Sequence, residues 1–393
     1  MILDDFLRYQ AKTTPSPLGL SIKRAKGSYL YDTNRKKYLD FVAGVSACSL
    51  GHRHPAVVKA IKRQLNRYLH VMVYGEYAQA PAVSLCKKLA ENLPSSLEVT
   101  YLTNSGTEAI EGAMKLAKRV TGRKEFIAAT NAYHGSTQGA LSLLGVEGQK
   151  NGYTPLLPNI DFIVFNDHDQ LAKITHKTAA VVLETIQGGA GFILPKNDYL
   201  KRVKKRCNEV GALLILDEIQ PGFGRTGKLF AFQHYNITPD ILVVGKGLGG
   251  GMPIGAFCSA KENMALLTHD PALGHITTFG GNPVIAAAAL ATLKTIISGK
   301  LMGQIAAKEA LFRSLLVHPN ILEIRGRGLL LAPILKTEEQ VQQVVKRCEQ
   351  KGLILFFLLW EKKAIRISPP LTISKKEIRK GCKIIIEVLN ELS

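Results

Sequence analysis

Short apolar runs alternate with amphipathic segments through the middle of the chain. The apolar runs predict strands at Val99–Thr103, Glu125–Thr130, Asp161–Phe165, Ala179–Ile186, Ala212–Ile219 and Asp240–Gly245. Apolar residues recur at helical spacing in Thr107–Thr121 and in Asp198–Val210, which predicts helices there. Strands that alternate with helices are typical of a mostly parallel sheet covered on both faces. The pattern therefore predicts an α/β fold with a mostly parallel central sheet and helices on both of its faces.

The two ends of the chain depart from this alternation. We expect residues 1–56 to form an N-terminal segment, residues 57–285 a large domain and residues 286–393 a small α+β domain. In the N-terminal segment the sequence predicts a strand in Gly27–Asp32, a turn at Asp32–Arg35 and a second strand through Tyr38. Because chain ends tend to lie close together at the surface, we expect this segment to pack with the small domain.

Two of the predicted strands end in a charged residue. Asp217 follows the apolar run Leu213–Leu216, and Lys246 follows Asp240–Gly245. Ligands of parallel sheets bind at the carboxyl ends of the strands, so we expect both side chains in one crevice. An amine that forms a Schiff base and an acid that keeps a pyridinium nitrogen protonated are what pyridoxal phosphate (PLP) requires. The sequence thus predicts a PLP enzyme with Lys246 and Asp217 as catalytic residues.

Each of these assignments has a simpler alternative. Asp217 can cap a turn, as many residues at strand ends do. Lys246 opens a glycine-rich stretch through Gly251, which is predicted to form neither a regular helix nor a regular strand. Its alternative is a flexible loop with a solvated lysine, but the position directly after a buried strand argues against that.

A candidate phosphate site lies between the first predicted strand and its helix. Ser105, Gly106 and Thr107 stand at this junction. Glycine permits close approach of a ligand, and the free amides of a helix N-terminus attract anions. An ordinary N-cap is the alternative, and the neighbouring crevice favours phosphate. Ile219 is predicted to cover one face of the ring and Tyr133 the other. The alternative for Tyr133 is a structural role, which is the more common one for a lone Tyr-His pair, and His134 is interpreted as structural.

Composition and charge limit the binding partners that the sequence predicts. The net charge of +20 suggests nucleic acid as a partner, but no nucleic-acid-binding motif accompanies the densest group of basic residues, Lys201–Arg206. We expect a solvated basic face, with steering of anionic substrates as the alternative.

No apolar run approaches the ~20 residues of a membrane span, and Met1–Asp5 lacks the features of a secretory signal. Six scattered cysteines indicate reduced thiols, so we expect a cytoplasmic protein without a metal site and without nucleic-acid or membrane partners.

Motifs along nearly the whole chain carry a family resemblance. They are Gly51–Pro55, Asn104–Ala109, Asp217–Gln220, Gly222–Gly227, Lys246–Gly251, Thr277–Pro283 and Ile365–Pro370. In this order they resemble the class III (subgroup II) PLP-dependent aminotransferases, which include acetylornithine, ornithine and 4-aminobutyrate aminotransferases. The resemblance implies fold type I of the PLP-dependent transferases and ping-pong transfer of an amino group from an amino acid to a 2-oxo acid. A racemase or aminomutase of the same fold is the alternative.

The resemblance also implies roles for individual residues. Lys246 would carry the Schiff base, Asp217 would pair with the pyridinium nitrogen and Arg366 would bind a substrate carboxylate. The cofactor-binding set would be Ser105, Gly106, Thr107, Tyr133, Glu184, Ile219 and Gln220, with Gln220 near the ring hydroxyl. Thr278 would reach the cofactor of a second subunit, which implies a homodimer with shared active sites.

Two positions depart from the family pattern. Ser136 stands where acetylornithine- and ornithine-type enzymes usually carry an arginine, and Gly189 stands where they carry a glutamate. That glutamate masks the arginine corresponding to Arg366 while an ω-amino substrate binds. Both departures weaken the expectation of a strict ornithine or 4-aminobutyrate enzyme. They leave room for an amino donor with one carboxylate or with a different distal group.

Overall fold

The computed structural model describes residues 2–392 of the chain. The strands are β1 (Ile22–Lys26), β2 (Tyr29–Asp32), β3 (Lys37–Asp40), β4 (Val99–Thr103), β5 (Glu125–Ala129), β6 (Ile160–Ile163), β7 (Thr178–Glu184), β8 (Leu213–Asp217), β9 (Ile241–Gly245), β10 (Gly255–Ser259), β11 (Ile321–Arg327), β12 (Leu330–Leu335), β13 (Leu353–Ile354), β14 (Phe356–Phe357) and β15 (Ile365–Arg366). The helices are α1 (Ile2–Tyr9), α2 (Ala43–Ser46), α3 (Pro55–Leu65), α4 (Ala80–Ala90), α5 (Gly106–Thr121), α6 (Gln138–Ser142), α7 (Tyr199–Val210), α8 (Lys261–Ala265), α9 (Pro283–Ser298), α10 (Ile305–Leu315), α11 (Glu338–Gln350) and α12 (Lys375–Glu391). Short 3₁₀ turns lie at Ser95–Leu97, Glu147–Gln149, Asp169–Lys173, Ala231–His234, Lys246–Gly249, Leu266–Thr268 and Met302–Gln304.

A seven-stranded sheet forms the centre of the molecule. Its strand order is β4-β10-β9-β8-β7-β5-β6, and the pairs from β9 to β6 are all parallel. β10 runs antiparallel to both of its neighbours. The predicted α/β class with a mostly parallel sheet is confirmed, and each of the six predicted strands is present with its ends shifted by a few residues or less.

The strand β10 was not among the predicted strands. Its five residues contain glycine, alanine, cysteine and serine around a single phenylalanine, and they follow the glycine-rich stretch. The run is too short and too small in side-chain volume to stand out as a buried strand from the sequence alone. Its place between β4 and β9 comes from long-range pairing.

Both faces of the sheet are covered, as predicted. On one face, Ile215 and Val243 pack with the apolar side of α5, which includes Ala113 and Met114. On the other face, Leu214, Leu216, Leu242 and Val244 pack with Leu200, Val203 and Cys207 of α7 and with α9. Alternate residues of one strand thus enter two different cores, which explains why these strands are apolar without a period of two.

The N-terminal and C-terminal segments share a second sheet. Its order is β1-β2-β3-β13, and β13 pairs in parallel with β3. The predicted turn lies between β2 and β3, where Asp32 Oδ1 accepts a hydrogen bond from Lys36 N at 2.8 Å and Arg35 has φ of 68°. The boundaries of the domains stay a prediction, but this pairing brings the residues before α3 beside those after α11.

Among residues 2–392, no single helix is long and apolar enough to cross a membrane. The pair Pro283–Ser298 and Met302–Leu315 passes that test only when its two members are taken together, and they meet at 54°. Ala286, Ala289 and Leu293 of the first helix are buried in the main core. The first helix of the pair is thus a core helix of the fold.

Candidate active site

A cavity of about 660 Å³ opens at the carboxyl ends of β8 and β9. The residues that line it from the central part of the chain are Gly106, Thr107, Tyr133, His134, Gly135, Ser136, Thr137, Glu184, Gly189, Asp217, Ile219, Gln220, Pro221 and Lys246. Its remaining wall comes from the two end segments, through Val45, Phe356, Phe357, Leu358, Leu359 and Arg366. All the residues proposed from the sequence for the cofactor and substrate therefore line one cavity, apart from Ser105 and Thr278.

Asp217 is the last residue of β8, and each of its two carboxylate oxygens has a polar contact. Its Oδ1 accepts a hydrogen bond from Ile219 N at 2.9 Å, and its Oδ2 lies 2.8 Å from Nδ1 of His134. Burial disfavours a charge on His134, but the hydrogen bond and charge of Asp217 outweigh it and raise the pKa of His134. The interpretation of His134 as purely structural missed this contact, which fixes the carboxylate in the cavity wall.

Lys246 follows β9 directly and begins the 3₁₀ turn Lys246–Gly249, with φ of 35°. The stretch is thus neither a regular α-helix nor a strand. Burial lowers the pKa of the Lys246 ammonium, and the charges of Asp217 and Glu184 only partly oppose that shift. Ser49 anchors the turn by donating a hydrogen bond to Gly247 O at 2.5 Å. The alternative of a solvated lysine on a flexible loop does not fit this buried position.

The N-terminus of α5 forms one end of the cavity. At Gly106, a Cβ atom would lie 2.7 Å from Cδ1 of Ile219, so the absence of a side chain lets the helix N-terminus pack closely against Ile219. Ser105 Oγ accepts a hydrogen bond from Glu108 N at 3.3 Å, so its side chain caps the helix. Thr107 Oγ1 lies 2.6 Å from Thr137 Oγ1. Thr137, which the sequence analysis did not single out, joins Thr107 on the cavity wall.

Polar atoms without partners mark the cavity as a binding site. Nε2 of Gln220 is buried and has no hydrogen-bond partner within residues 2–392. Glu184 Oε2 accepts a hydrogen bond from Gly188 N at 3.0 Å, and burial raises the pKa of Glu184 to about 7. The buried lysine, the fixed carboxylate, the unpaired amide and the open helix N-terminus are a donor set that fits PLP.

Arg366 stands on β15 at the opposite wall. Its Nε donates a hydrogen bond to Phe357 O at 3.2 Å, while its buried Nη1 has no partner in the described part of the chain. Burial lowers the pKa of Arg366 to about 10, so the guanidinium stays charged at neutral pH. An unpaired, buried guanidinium nitrogen fits a carboxylate ligand.

The two departures from the family pattern both line the cavity. Ser136 Oγ lies 3.2 Å from the hydroxyl of Tyr133. Gly189 O accepts a hydrogen bond from Trp360 N at 2.9 Å. A Cβ atom at Gly189 would lie 2.8 Å from Nε1 of Trp360, so the indole covers the space that a side chain would use.

Thr278 is not among the residues that line this cavity, and its Oγ1 lies 3.4 Å from the hydroxyl of Tyr74. Large apolar side chains around it are exposed, including Ile276 and Phe279. Its contact with the cofactor of a second subunit stays a prediction.

A backbone turn in the N-terminal segment brings Val45 to the cavity. Four consecutive residues, Ala43–Ser46, have positive φ values of 51°, 60°, 56° and 70°. Asp40 Oδ1 accepts hydrogen bonds from Val42 N at 2.8 Å and Ala43 N at 2.9 Å, and Asp40 Oδ2 lies 2.7 Å from Nε2 of His52. The motif Gly51–Pro55 therefore supports this left-handed turn. The sequence offered no signal for it besides Gly44.

Comparison with known proteins agrees with this geometry. The family model described as aminotransferase class-III matches residues 9–389. A putrescine aminotransferase of Pectobacterium atrosepticum is 40% identical over 99% of this chain and 86% of its own length. An acetylornithine aminotransferase of Clostridium acetobutylicum is 38% identical over 94% of this chain and 96% of its own length.

Solved structures of aminotransferases share the fold of this chain. The ornithine aminotransferase of Toxoplasma gondii superposes with a TM-score of 0.92 at 32% identity, covering 100% of this chain and 94% of that chain. A second structure of that enzyme, with a TM-score of 0.91 and 32% identity over 99% of this chain and 94% of that chain, is described with partial occupancy of PLP at the active site. The chain therefore belongs to the class III aminotransferases, a family of PLP-dependent enzymes.

Proposed function

We propose that this chain transfers an amino group from an amino acid to a 2-oxo acid in the cavity that holds Lys246 and Asp217. The observation that carries the proposal is the position of these two side chains. Lys246 directly follows β9 and Asp217 ends the neighbouring parallel strand β8, and both line one cavity with Arg366, whose Nη1 is unpaired within residues 2–392. When bound, PLP supplies an electron sink for the bond that breaks at the substrate Cα.

Lys246 has two tasks in this proposal. Its Nζ would hold the cofactor covalently, a task that requires the neutral amine and is helped by the lowered pKa. When it is free, the same Nζ would serve as the base that takes the proton from the substrate Cα. Both tasks need a buried amine on a fixed backbone, as the 3₁₀ turn provides.

The other residues orient the cofactor and the substrate. Asp217, positioned by His134, would keep the ring nitrogen protonated. Gly106 and Thr107 would hold the phosphate at the N-terminus of α5, with Ser105 as the cap of that helix. Gln220 would donate a hydrogen bond from its unpaired Nε2 to the ring hydroxyl, and Tyr133 and Ile219 would cover the ring faces. Glu184 lines the same cavity, and its charge acts on the guanidinium of Arg366.

Arg366 binds the carboxylate of both substrates in turn, because a ping-pong reaction uses one site twice. The relatives reported above are named for putrescine, acetylornithine and ornithine, so these amines belong in a donor panel with 4-aminobutyrate, lysine and simple amino acids. Those relatives are all named aminotransferases, and none is named a racemase or an aminomutase.

A single half-reaction tests this proposal. The PLP-loaded protein is mixed with a donor and no 2-oxo acid, and its visible absorbance is followed. We expect stoichiometric loss of the resting chromophore and its return when a 2-oxo acid is added. A chromophore that stays unchanged while the donor is racemised or rearranged would contradict the proposal and favour the alternative reaction.

We also propose a cytoplasmic homodimer, with Thr278 facing the cofactor of the second subunit. The exposed apolar side chains of Tyr77, Leu273, Ile276 and Phe279 support the dimer, because patches of this kind mark interfaces. The six cysteines are all free, which suits a reducing compartment. Light scattering of the purified protein tests the dimer, and a monomer mass would contradict it.

A further inference from the structure

The cavity has an apolar wall that amino transfer itself does not use. Phe356, Phe357, Leu358 and Leu359 form it. Phe356 is 37% exposed and Leu359 is 47% exposed, although both are large apolar residues beside a cavity. Apolar surface that lines a binding cavity is the part of a site that recognises the apolar part of a ligand.

The strand register fixes this wall relative to Arg366. In the antiparallel pair β14–β15, Phe356 stands directly opposite Arg366. Directly opposite residues project to the same face, with Cβ atoms about 4.5–5.5 Å apart. A carboxylate bound at Arg366 therefore places the following carbons of its own molecule within reach of the Phe356 ring.

Within residues 2–392, the cavity holds no unpaired cation besides Arg366 and Lys246. Its other chargeable lining residues are the acids Asp217 and Glu184 and the histidine His134, and His134 is already paired with Asp217 at 2.8 Å. Lys246 is committed to the cofactor, so Arg366 alone can pair with a carboxylate. A second carboxylate would meet the apolar wall and would lose its hydration without gaining a partner.

Trp360 occupies the space beside Gly189, the position at which the family resemblance leads one to expect a glutamate. Gly189 O accepts hydrogen bonds from Trp360 N at 2.9 Å and from Glu361 N at 3.3 Å, which anchors the end of the apolar wall. A Cβ atom at Gly189 would lie 2.8 Å from Nε1 and 2.9 Å from Cδ1 of Trp360. Glu361 is itself engaged by Arg325 Nη1 at 3.0 Å. The same contacts between Gly189 and Trp360 thus anchor the apolar wall and leave no space for a carboxylate side chain at position 189.

We infer that this site takes monocarboxylates with an apolar side chain and discriminates against dicarboxylates. The donors are α-amino acids with apolar side chains, and the acceptors are the corresponding 2-oxo acids. The inference rests on the proposed function for its chemistry, but the recognition of the side chain can be measured without any reaction.

A pair of unreactive ligands tests the inference on the PLP-loaded enzyme. Glutarate and 5-methylhexanoate each carry a carboxylate followed by three methylene groups, and they have nearly the same shape. Glutarate ends in a second carboxylate, whereas 5-methylhexanoate ends in an isopropyl group. Neither carries an amino or oxo group. Trp360 is the one tryptophan of the sequence, so its fluorescence reports binding beside the wall, and the shift of the thermal midpoint gives a second measure.

We expect 5-methylhexanoate to bind at least about tenfold more tightly than glutarate, because the second charge finds no partner. Equal or tighter binding of glutarate would overturn the inference. In the Phe356→Arg variant, where a cation is added to the wall, we expect the order of the two ligands to reverse. Phe356→Leu is the matched control, in which the wild-type order should persist. If Phe356→Arg does not fold, the wild-type comparison decides alone.

The two failures are distinguishable. A loaded enzyme that converts no donor in the half-reaction contradicts the proposed function, whatever the ligands do. An enzyme that converts glutamate faster than leucine, and also binds glutarate more tightly, keeps the proposed function and loses only the inference about the apolar wall.

Discussion

Nδ1 of His134 lies 2.8 Å from Oδ2 of Asp217, and the two side chains are only 2% and 4% exposed. The contact spans 83 residues of sequence and joins the segment after β5 to the end of β8. The hydrogen bond and charge of Asp217 raise the pKa of His134 against the effect of burial, and the contact holds both buried side chains in one orientation. His134 is therefore a positioning residue for the carboxylate.

Replacing His134 should slow the chemistry without weakening substrate binding. In His134→Ala we expect kcat to fall roughly 10- to 100-fold, because a carboxylate free to rotate is misplaced for the ring nitrogen. KM should stay unchanged, since Arg366 is untouched. The measurement is a kcat and KM determination from pH 6 to pH 9. His134→Gln keeps an N–H donor and should recover part of the rate, whereas equal rates in all three proteins would contradict the role.

Lys246→Ala should remove the covalent link to the cofactor. Borohydride reduction followed by peptide mass spectrometry should then find no pyridoxyl adduct at this position, and the visible absorbance of the resting enzyme should be absent. The matched control is Lys363→Ala, which alters an exposed lysine outside the cavity. An adduct elsewhere with full turnover in Lys246→Ala would contradict the assignment.

Arg366→Lys tests the carboxylate contact. It keeps a positive charge but loses the planar fork, so we expect KM for carboxylate substrates to rise roughly 10- to 100-fold, the equivalent of a lost charge-assisted hydrogen bond. Amine donors without a carboxylate serve as the internal control and should keep their KM. A parallel rise for both groups of donors would indicate general damage to the cavity.

Residues at strand ends could be predicted from the sequence because their signal is local. Asp217 and Lys246 each follow an apolar run, and parallel sheets place such positions at one edge. The apolar side of α5 was likewise visible from spacing alone, since helix burial follows a fixed period.

The rest of the site depends on contacts between distant segments. The bond between His134 and Asp217, the register of Phe356 opposite Arg366 and the contact of Trp360 with Gly189 each join parts of the chain that local patterns do not connect. The sequence marked Gly189 as a departure from the family, but the indole that fills the vacant space lies 171 residues later in the chain.

Gly189 and Trp360 should be coupled in stability. Gly189→Ala introduces a Cβ at 2.8 Å from Nε1 of Trp360, so we expect a loss of about 1–3 kcal/mol in the free energy of unfolding. In a Trp360→Gly background the same change should cost much less, because the space is open. Urea unfolding of the two single variants and the double variant gives the coupling energy, and additive costs would contradict the contact.

We expect the same two residues, Gly189 and Trp360, to influence which amino donor the enzyme prefers. Gly189→Glu alone must displace the indole, whereas Gly189→Glu combined with Trp360→Gly leaves room for the carboxylate beside Arg366. We expect only the double variant to shift its preference towards ω-amino donors, measured as the ratio of kcat/KM for ornithine to that for alanine. If Gly189→Glu alone shifted the donor preference as far as the double variant, Trp360 would not exclude a side chain from position 189.

The left-handed turn at Ala43–Ser46 should depend on the protonation of His52. Left-handed backbone costs roughly 1–2 kcal/mol for each residue other than glycine, and Asp40 offsets part of that cost through its hydrogen bonds to Val42 N and Ala43 N. Burial is the largest single effect and opposes a charge on His52. The hydrogen bond to Asp40, the interaction with Cys48 and the charge of Asp40 together outweigh burial and raise the pKa of His52 from 6.5 to about 9.

Since the folded state holds the proton more tightly than the unfolded chain, this stabilisation is complete below pH 6.5 and is lost as the pH rises through about 9. Asp40→Asn keeps an oxygen for the two backbone N–H groups but removes the charge that favours protonated His52. The difference in unfolding free energy between wild type and Asp40→Asn should therefore be largest near pH 6 and should shrink towards pH 9.5. Asp5→Asn, an exposed change in α1, should give a small difference that does not vary with pH. A difference for Asp40→Asn that grew with pH would mean that His52 is neutral in the folded protein and that Asp40 supports the turn through its backbone contacts alone.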